Sequence, residues 1–232
     1  MPRSLAIETS GRIGSVALAD GQTLLVEEQF PHGLRHAAEM LTLIDRLCLQ
    51  SGWKPRDIQQ IFVSSGPGSF TGLRIGVTCA KTLAFALNIP VVATPTLRIL
   101  AENAPAEAQH VAIVLDAKRG QIFTARFERV DGTWQVREPE HLDTLAAVIA
   151  RAPRPLYLLG EGIPLHADSV PTDGSVIVTG PDTWRARAAA VATVGNAMAG
   201  VGQFTEPMQL VPIYVRRPEA EEKRLAAERG HA

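Results

Sequence analysis

The sequence lacks an excess of positive charge. Its 232 residues include 23 Lys and Arg against 24 Asp and Glu, which gives a formal net charge of −1 at pH 7. Proteins that bind nucleic acid unaided usually carry a basic excess, because their affinity comes from neutralising phosphates. If RNA is a ligand, we therefore expect a partner protein to hold most of it.

The sequence is also poor in cysteine and in long apolar runs. Cys48 and Cys79 lie within apolar helical patterns and belong to no CxxC pair, so we expect reduced core residues of a cytoplasmic protein. The most apolar segment, residues 71–87, is short for a membrane span and contains Arg74 and Lys81. The N-terminal MPRSLAIETS has no apolar core of a signal peptide. These features predict a globular protein with no membrane partner.

Strand and helix patterns follow one another twice along the chain. Strands are predicted at 4–8, 14–20, 23–30, 61–65 and 91–94, and helices at 34–51, 71–88, 97–103, 142–152 and 183–200. After a junction at 104–110, an acidic residue again ends an apolar strand, Asp116 in place of Glu8, and a glycine-containing loop and an Asp-Gly hairpin follow. This weak repeat predicts two related α/β lobes, residues 1–104 and 105–232, with a C-terminal segment able to pack back on the first lobe.

A glycine-rich loop, SSGPGSFTG at residues 64–72, joins a predicted strand to a predicted helix. It is not a phosphate-binding Walker A loop, because no Lys-Ser/Thr pair follows a glycine at the required spacing, and Thr71 breaks the GxGxxG pattern. Two interpretations stay open. Ser69 or Thr71 caps the helix while the glycines make a tight turn, or the amides at Gly66, Gly68 and Ser69 bind an anion.

The anion interpretation extends to a nucleotide. Glu8 and Asp116 each end a strand, and as paired carboxylates facing a cleft between the lobes they could hold a Mg-nucleotide. In the alternative, each carboxylate simply ends its strand. No GxSxG nucleophile elbow occurs, which leaves acyl-transfer chemistry without support.

The helix behind the loop has small residues on one side and apolar residues on another. The small residues recur every four positions and are Gly72, Gly76, Ala80 and Ala84, whereas the apolar ones are Ile75, Cys79 and Phe85. A helix that is apolar on more than one side must be buried on more than one side. Either the chain covers both sides, or one side binds a partner, and we slightly favour a partner.

Two histidines have a spacing that metal sites use. His32 and His36 form an HxxxH pair with Glu39 as a third candidate ligand. Pro31 and Gly33 flank the first histidine and place it in a loop, so a surface or capping role is favoured and no metal site is predicted.

Four segments resemble one protein family. They are AIETSGRIGSVALAD, SSGPGSFTGLRIGVTCAKTLAFALNIPVVATPTL, LDAKRGQIFTARF and the closing PIYVRRP, and they resemble the TsaB (YeaZ) family. The resemblance implies the actin/Hsp70/sugar-kinase (ASKHA) fold, with two duplicated α/β lobes of mixed sheets and flanking helices. It implies a bacterial partner of TsaD that works with the ATPase TsaE to attach threonylcarbamoyl to N6 of adenosine 37 in tRNA.

The resemblance also implies a scaffold without a catalytic site. TsaD-like relatives carry two metal-binding histidines where this chain has Thr96 and Leu100, and a leucine cannot bind a metal. No metal and no cofactor are expected, apart from a nucleotide at a complex interface. Many family members have Asp where this chain has Glu8, which weakens any transfer of nucleotide chemistry.

The expected docking surface is a bundle of the helices at 34–51 and 71–88, which binds TsaD or a second copy of the chain when TsaD is absent. tRNA is expected to bind through the complex. An ATP-binding or ATP-hydrolysing enzyme of the same fold is the alternative, and a metallopeptidase is less favoured. The candidate interface residues, expected to be exposed except for the ridge glycine, are His36, Glu39, Met40, Leu43, Arg74, Gly76, Thr78 and Lys81.

Overall fold

The computed structural model describes residues 2–31 and 37–213. The strands are β1 (Arg3–Glu8), β2 (Ile13–Asp20), β3 (Thr23–Pro31), β4 (Gln60–Gly66), β5 (Val91–Pro95), β6 (His110–Ile113), β7 (Leu115–Asp116), β8 (Ile122–Val130), β9 (Thr133–Asp143), β10 (Leu156–Leu159) and β11 (Val176–Val178). The helices are α1 (Ala37–Gln50), α2 (Phe70–Leu87), α3 (Thr96–Ala101), α4 (Leu145–Arg151) and α5 (Ala188–Gly200). Short 3-10 helices include Pro181–Thr183 and Pro207–Gln209.

The two sheets have the same topology, which confirms the predicted internal repeat. The first sheet has the order β3-β2-β1-β4-β5, in which β1 runs antiparallel to β2 and parallel to β4. The second has the order β11-β10-β6-β8, with β9 pairing β8 beyond it, and β6 runs antiparallel to β8 and parallel to β10. Each half therefore builds an antiparallel hairpin followed by parallel strands, as the predicted α/β class requires.

Side chains of β1 alternate between two cores because successive residues of a strand point to opposite faces. Leu5 and Ile7 join the core under α1 and α2, while Ala6 joins the core between the two sheets. Helices α3 and α5 lie in that middle layer, and α5 packs on the first sheet although it belongs to the second half of the sequence. The small Ala6 side chain leaves room for this close approach.

The described C-terminal residues also pack on the first sheet. The Thr205 amide donates to the Val91 carbonyl at 2.8 Å, on the β5 edge. Leu210 is buried in the outer core, and the Ile213 amide donates to the Ser65 carbonyl at 2.6 Å. The segment therefore runs across the first sheet to the end of β4, and the boundary near residue 104 stays a prediction.

Two predicted helix starts are wrong. Strand β9 continues to Asp143, because Thr144 provides the N-cap of α4 by accepting a hydrogen bond from the Ala147 amide. Helix α5 begins at Ala188 rather than at residue 183, since Arg187 before it is extended. The cap at Thr144 and the extended backbone at Arg187, rather than the apolar pattern, decide where these two helices begin.

Helix α2 has the length that the sequence pattern predicted, shifted by one residue towards the N-terminus. Phe70–Leu87 has 18 residues and is long and apolar enough, by length and composition alone, to cross a membrane. Its Leu73 and Ala80 are fully buried, and the helix packs against β4 and α1. We interpret it as a core helix of the first sheet.

Candidate functional site

The glycine-rich loop begins α2 with a side-chain cap. Ser69 Oγ accepts a hydrogen bond from the Gly72 amide at 3.2 Å, and the Ser69 amide donates to the Ser10 carbonyl at 2.7 Å. Thr71 is exposed within the first turn. The capping interpretation is therefore confirmed for Ser69.

The chain itself fills the space beside two glycines of this loop. A Cβ on Gly68 would lie 2.5 Å from the Ser10 carbonyl oxygen. A Cβ on Gly66, whose φ is +115°, would lie 2.5 Å from the Ile213 carbonyl oxygen. Glycine is needed at both positions because other backbone segments approach closely there. A phosphate therefore has no room at the position where either glycine would carry a Cβ.

Glu8 is fully buried at the end of β1. Its Oε1 accepts hydrogen bonds from the Ser10 amide and, at 2.5 Å, from Ser10 Oγ. Its Oε2 is buried and has no hydrogen-bond partner among the described residues. Burial raises the pKa of this carboxyl, and hydrogen bonds from Ser10 oppose the rise. A raised pKa disfavours the carboxylate form that a Mg²⁺ ion would need.

Asp116 has different surroundings. It is exposed, and its Oδ1 accepts a hydrogen bond from the Lys118 amide at 3.0 Å and lies 3.7 Å from His166 Nε2. Glu8 and Asp116 are thus one buried and one exposed group, rather than the matched pair of cleft carboxylates that the nucleotide interpretation needs. Nucleotide binding at these residues stays a prediction.

A cleft of about 290 Å³ lies between the β2–β3 hairpin and the segment before α5. Its arginines are paired with acidic side chains, Arg187 with Glu27 and Arg185 with Glu161 at 3.8 Å between Nε and Oε1. None of the predicted nucleotide residues lines it. The lining residues are Ile13, Gly14, Ser15, Gln29, Asp182, Arg185, Ala186 and Arg187.

Helix α1 presents fewer predicted interface residues than expected. Glu39 is exposed, but Met40 and Leu43 are only 1% and 5% exposed and belong to the outer core. The expectation that these two are exposed is wrong, because the helix turns them towards the first sheet. His32 and His36 lie outside the described residues.

The small-residue ridge of α2 packs inside the chain. All four of its members are buried, and a Cβ on Gly76 would lie 2.2 Å from Thr9 Oγ1. The opposite side of the helix carries the exposed Arg74 and Thr78. Lys81 is half-buried, and its Nζ donates to the Met208 carbonyl at 2.9 Å. The chain itself therefore covers the ridge, including the candidate interface residue Gly76, and the exposed side of α2 is the surface left for docking.

Large apolar side chains on the two helices are exposed. Leu49 on α1 and Phe85 on α2 are 78% and 75% exposed, the highest fractions among the large apolar residues described, and Leu41 is 45% exposed. The sequence pattern separated Phe85 from the ridge, but it did not single out the two leucines. Helices α1 and α2 contact each other and cover the same outer core, so these side chains lie on the same side of the first sheet.

The two positions at which the family resemblance implies histidines in TsaD are buried. Thr96 and Leu100 are 2% and 1% exposed, and Leu100 packs among apolar residues. Within residues 2–31 and 37–213, no group of three or more His, Cys, Asp or Glu side chains is placed to hold a metal ion.

Comparisons with known proteins point in one direction. The family model for TsaD, tRNA N6-adenosine threonylcarbamoyltransferase, matches residues 33–193. The chain is 32% identical over 225 residues to the Bacillus subtilis tRNA threonylcarbamoyladenosine biosynthesis protein TsaB, covering 94% of this chain and 96% of that one. It is 34% identical over 142 residues to the Escherichia coli protein of the same name, covering 60% and 61% of the two chains.

Solved structures show the same likeness. YeaZ from Pseudomonas aeruginosa superposes with a TM-score of 0.78 at 25% identity, covering 92% of this chain and all of that one. The ethanolamine utilization protein EutJ from Carboxydothermus hydrogenoformans superposes with a TM-score of 0.50 at 9% identity, a likeness of fold alone. These neighbours confirm the ASKHA type of fold that the resemblance implied.

Proposed function

The chain belongs to the TsaB (YeaZ) family, and on that premise we propose that it is a non-catalytic subunit of the machinery that makes threonylcarbamoyladenosine in tRNA. In this role it binds a TsaD protein and holds it in an active state. The names of its relatives place the family in threonylcarbamoyladenosine biosynthesis, and the match to the TsaD family model relates this fold to that of the transferase.

The observation that carries the docking role is the exposed apolar surface of the helix pair α1 and α2. Leu49 and Phe85 are 78% and 75% exposed on neighbouring helices, which also carry the exposed Glu39, Arg74 and Thr78. Single exposed apolar residues are common, but several on one face mark protein–protein contact surfaces. Aromatic residues and arginine are the types that most often dominate binding energy at such surfaces.

The chemistry of the core supports the scaffold role. Leu100 cannot bind a metal, and Thr96 is a poor ligand for iron or zinc, so this chain lacks the donor atoms that the corresponding TsaD positions supply. Within the assembly we place the transfer reaction on TsaD. tRNA is held mainly by the complex, in line with the net charge of −1.

The wider assembly follows from the same proposal. TsaE is the further partner that the family resemblance implies, and the complex is placed in the cytoplasm with its tRNA substrate. A second copy of this chain could use the same helix face when TsaD is absent, because a self-complementary face suits two-fold pairing.

The test is reconstitution. The reaction contains ATP, unmodified tRNA, TsaD, TsaE and the enzyme that makes threonylcarbamoyl-adenylate. It is run with and without this chain, and the modified nucleoside is quantified by mass spectrometry. We expect modification only when the chain is present, and we expect the chain to co-elute with TsaD in size-exclusion chromatography. Equal modification without the chain would overturn the proposal.

A further inference from the structure

The loop after β1 is held in one conformation by the carboxyl of Glu8. Ser10 donates to Glu8 Oε1 through both its amide and its hydroxyl, the latter at 2.5 Å. The Thr9 amide between them donates to Ser64 Oγ at 3.3 Å, on the neighbouring strand β4. Three hydrogen bonds therefore fix a loop of three residues, Glu8–Ser10, against the end of β4.

This loop in turn holds the beginning of α2. The Ser10 carbonyl accepts a hydrogen bond from the amide of Ser69, the residue that caps the helix through the Gly72 amide. The contact is close because residue 68 is a glycine, where a Cβ would lie 2.7 Å from the Ser10 Cβ. Glu8, Ser10, Ser69 and Gly72 thus form a continuous series of hydrogen bonds from the end of β1 into the first turn of α2.

A second contact lies two turns further along α2. A Cβ on Gly76 would lie 2.2 Å from Thr9 Oγ1, so the helix rests directly on the loop there. The contacts at Gly68 and Gly76 therefore place the start and the first two turns of α2 directly against the Glu8–Ser10 loop. The rest of the helix packs mainly on β4.

The buried carboxyl is a costly way to fill space. Glu8 is fully buried, and Oε2 makes no hydrogen bond with the described residues. A buried polar atom without a partner lowers stability, and an apolar side chain of similar size would avoid that loss. The two hydrogen bonds at Oε1 fix the orientation of Ser10, which an apolar side chain could not do.

We propose that Glu8 is a positioning residue for partner docking: through Ser10 and Ser69 it sets the place and direction of α2, whose exposed side carries Arg74, Thr78 and Phe85. The docking part of this inference rests on the proposed function. The positioning part rests only on the contacts of the chain itself.

The test compares Glu8→Ala with Glu8→Gln, which keeps an oxygen acceptor for Ser10. Hydrogen–deuterium exchange of the peptide 69–77 reports the first turns of α2, and calorimetry with purified TsaD reports docking. Since Glu8→Ala removes two buried hydrogen bonds, we expect about tenfold faster exchange in that peptide and about tenfold weaker binding, with Glu8→Gln within about twofold of the parent. If Glu8→Ala does not fold, Ser10→Ala takes its place, because it removes only the hydroxyl. We expect it to speed exchange and to weaken binding two- to threefold.

The matched control is Glu140→Ala, which removes another largely buried carboxyl, on β9 and away from α2. It should change thermal stability but neither the exchange of residues 69–77 nor the affinity for TsaD.

The outcomes separate the inference from the function on which it rests. Parent-like exchange and affinity in Glu8→Ala would overturn the positioning role and leave TsaD docking intact. Faster exchange with unchanged affinity would overturn the link to docking. If the parent chain does not bind TsaD while Glu8→Ala still loosens α2, the proposed function fails and the positioning of α2 stands.

Discussion

The ring of Phe62 packs directly on the backbone of Gly195. A Cβ on Gly195 would lie 2.2 Å from Phe62 Cγ, and the ring is fully buried. Helix α5 thereby reaches the centre of the first sheet although it comes from the second half of the sequence. This contact joins the two halves of the molecule at their common core.

Gly195→Ala should therefore lower the free energy of unfolding by about 1–3 kcal/mol, the usual loss from overpacking a core. Urea unfolding followed by circular dichroism measures it. Gly200→Ala is the matched control, because a Cβ there meets nothing within 4 Å and the residue ends the same helix. The control should be neutral or up to about 1 kcal/mol stabilising. Equal effects at the two positions would contradict the packing described.

Gly68→Ala should lower the free energy of unfolding by about 1–3 kcal/mol, because the added Cβ would meet the Ser10 backbone oxygen at 2.5 Å. The corresponding change at Gly11, where a Cβ would lie 3.7 Å from the Ile13 oxygen, should alter it by less than about 0.5 kcal/mol. Urea unfolding of both variants is the measurement. If Gly68→Ala is as stable as the parent protein, the loop has free space beside Gly68, as a phosphate site requires.

Ser69→Ala should lower the free energy of unfolding by about 1 kcal/mol, the typical loss when an N-cap is removed. Thr71→Ala removes the hydroxyl of an exposed residue two positions later in the chain. It should change the free energy of unfolding by less than about 0.5 kcal/mol. Thermal and urea unfolding of the two variants test the assignment of the cap to Ser69. A larger loss for Thr71→Ala would reverse the assignment.

The carboxyl of Glu140 should make stability depend on pH. Burial raises its pKa from the ordinary 4.5 to about 7, and a hydrogen bond from the Leu97 backbone opposes the rise. The folded state binds this proton more tightly than the unfolded state. The contribution of Glu140 to stability is therefore fully present below pH 4.5 and is lost as the pH rises through 7.

Glu140→Gln should remove this loss, which is at most about 3 kcal/mol between pH 4.5 and 7. Urea unfolding of parent and variant across that range gives the difference directly. Groups with lowered pKa values, such as Glu138 and Asp143, are present in both proteins and cancel. A difference that stays constant with pH would show that Glu140 ionises in the ordinary range.

Phe85→Glu should weaken binding to TsaD about tenfold or more, because it replaces a largely exposed aromatic side chain of the proposed docking surface with a charge. Leu165→Glu is the control, since Leu165 is 69% exposed and lies in the second half of the chain, away from α1 and α2. Calorimetry with TsaD measures both. If the control loses as much affinity as Phe85→Glu, the docking surface lies elsewhere.

The arrangement of elements could be predicted from the sequence because its signals are local. Short apolar runs predict β1 and β2, and the Asp20-Gly21 turn joins β2 to β3. The restart of the pattern after residue 104 predicts the second lobe. The N-cap at Ser69 is equally local, since it depends on residues three apart in the chain.

The candidate site depended on contacts between distant segments, which a one-dimensional pattern does not contain. The periodicity showed that α2 has two apolar sides, but only the packing of the β1 loop on Gly76 assigned the small-residue ridge to the interior. Met40 and Leu43 are buried for the same reason, because the position of α1 on the sheet decides which side it exposes. Two duplicated α/β lobes could thus be predicted from local patterns. The glycines and helix faces that the chain uses for its own packing could not, because those contacts join segments far apart in the sequence.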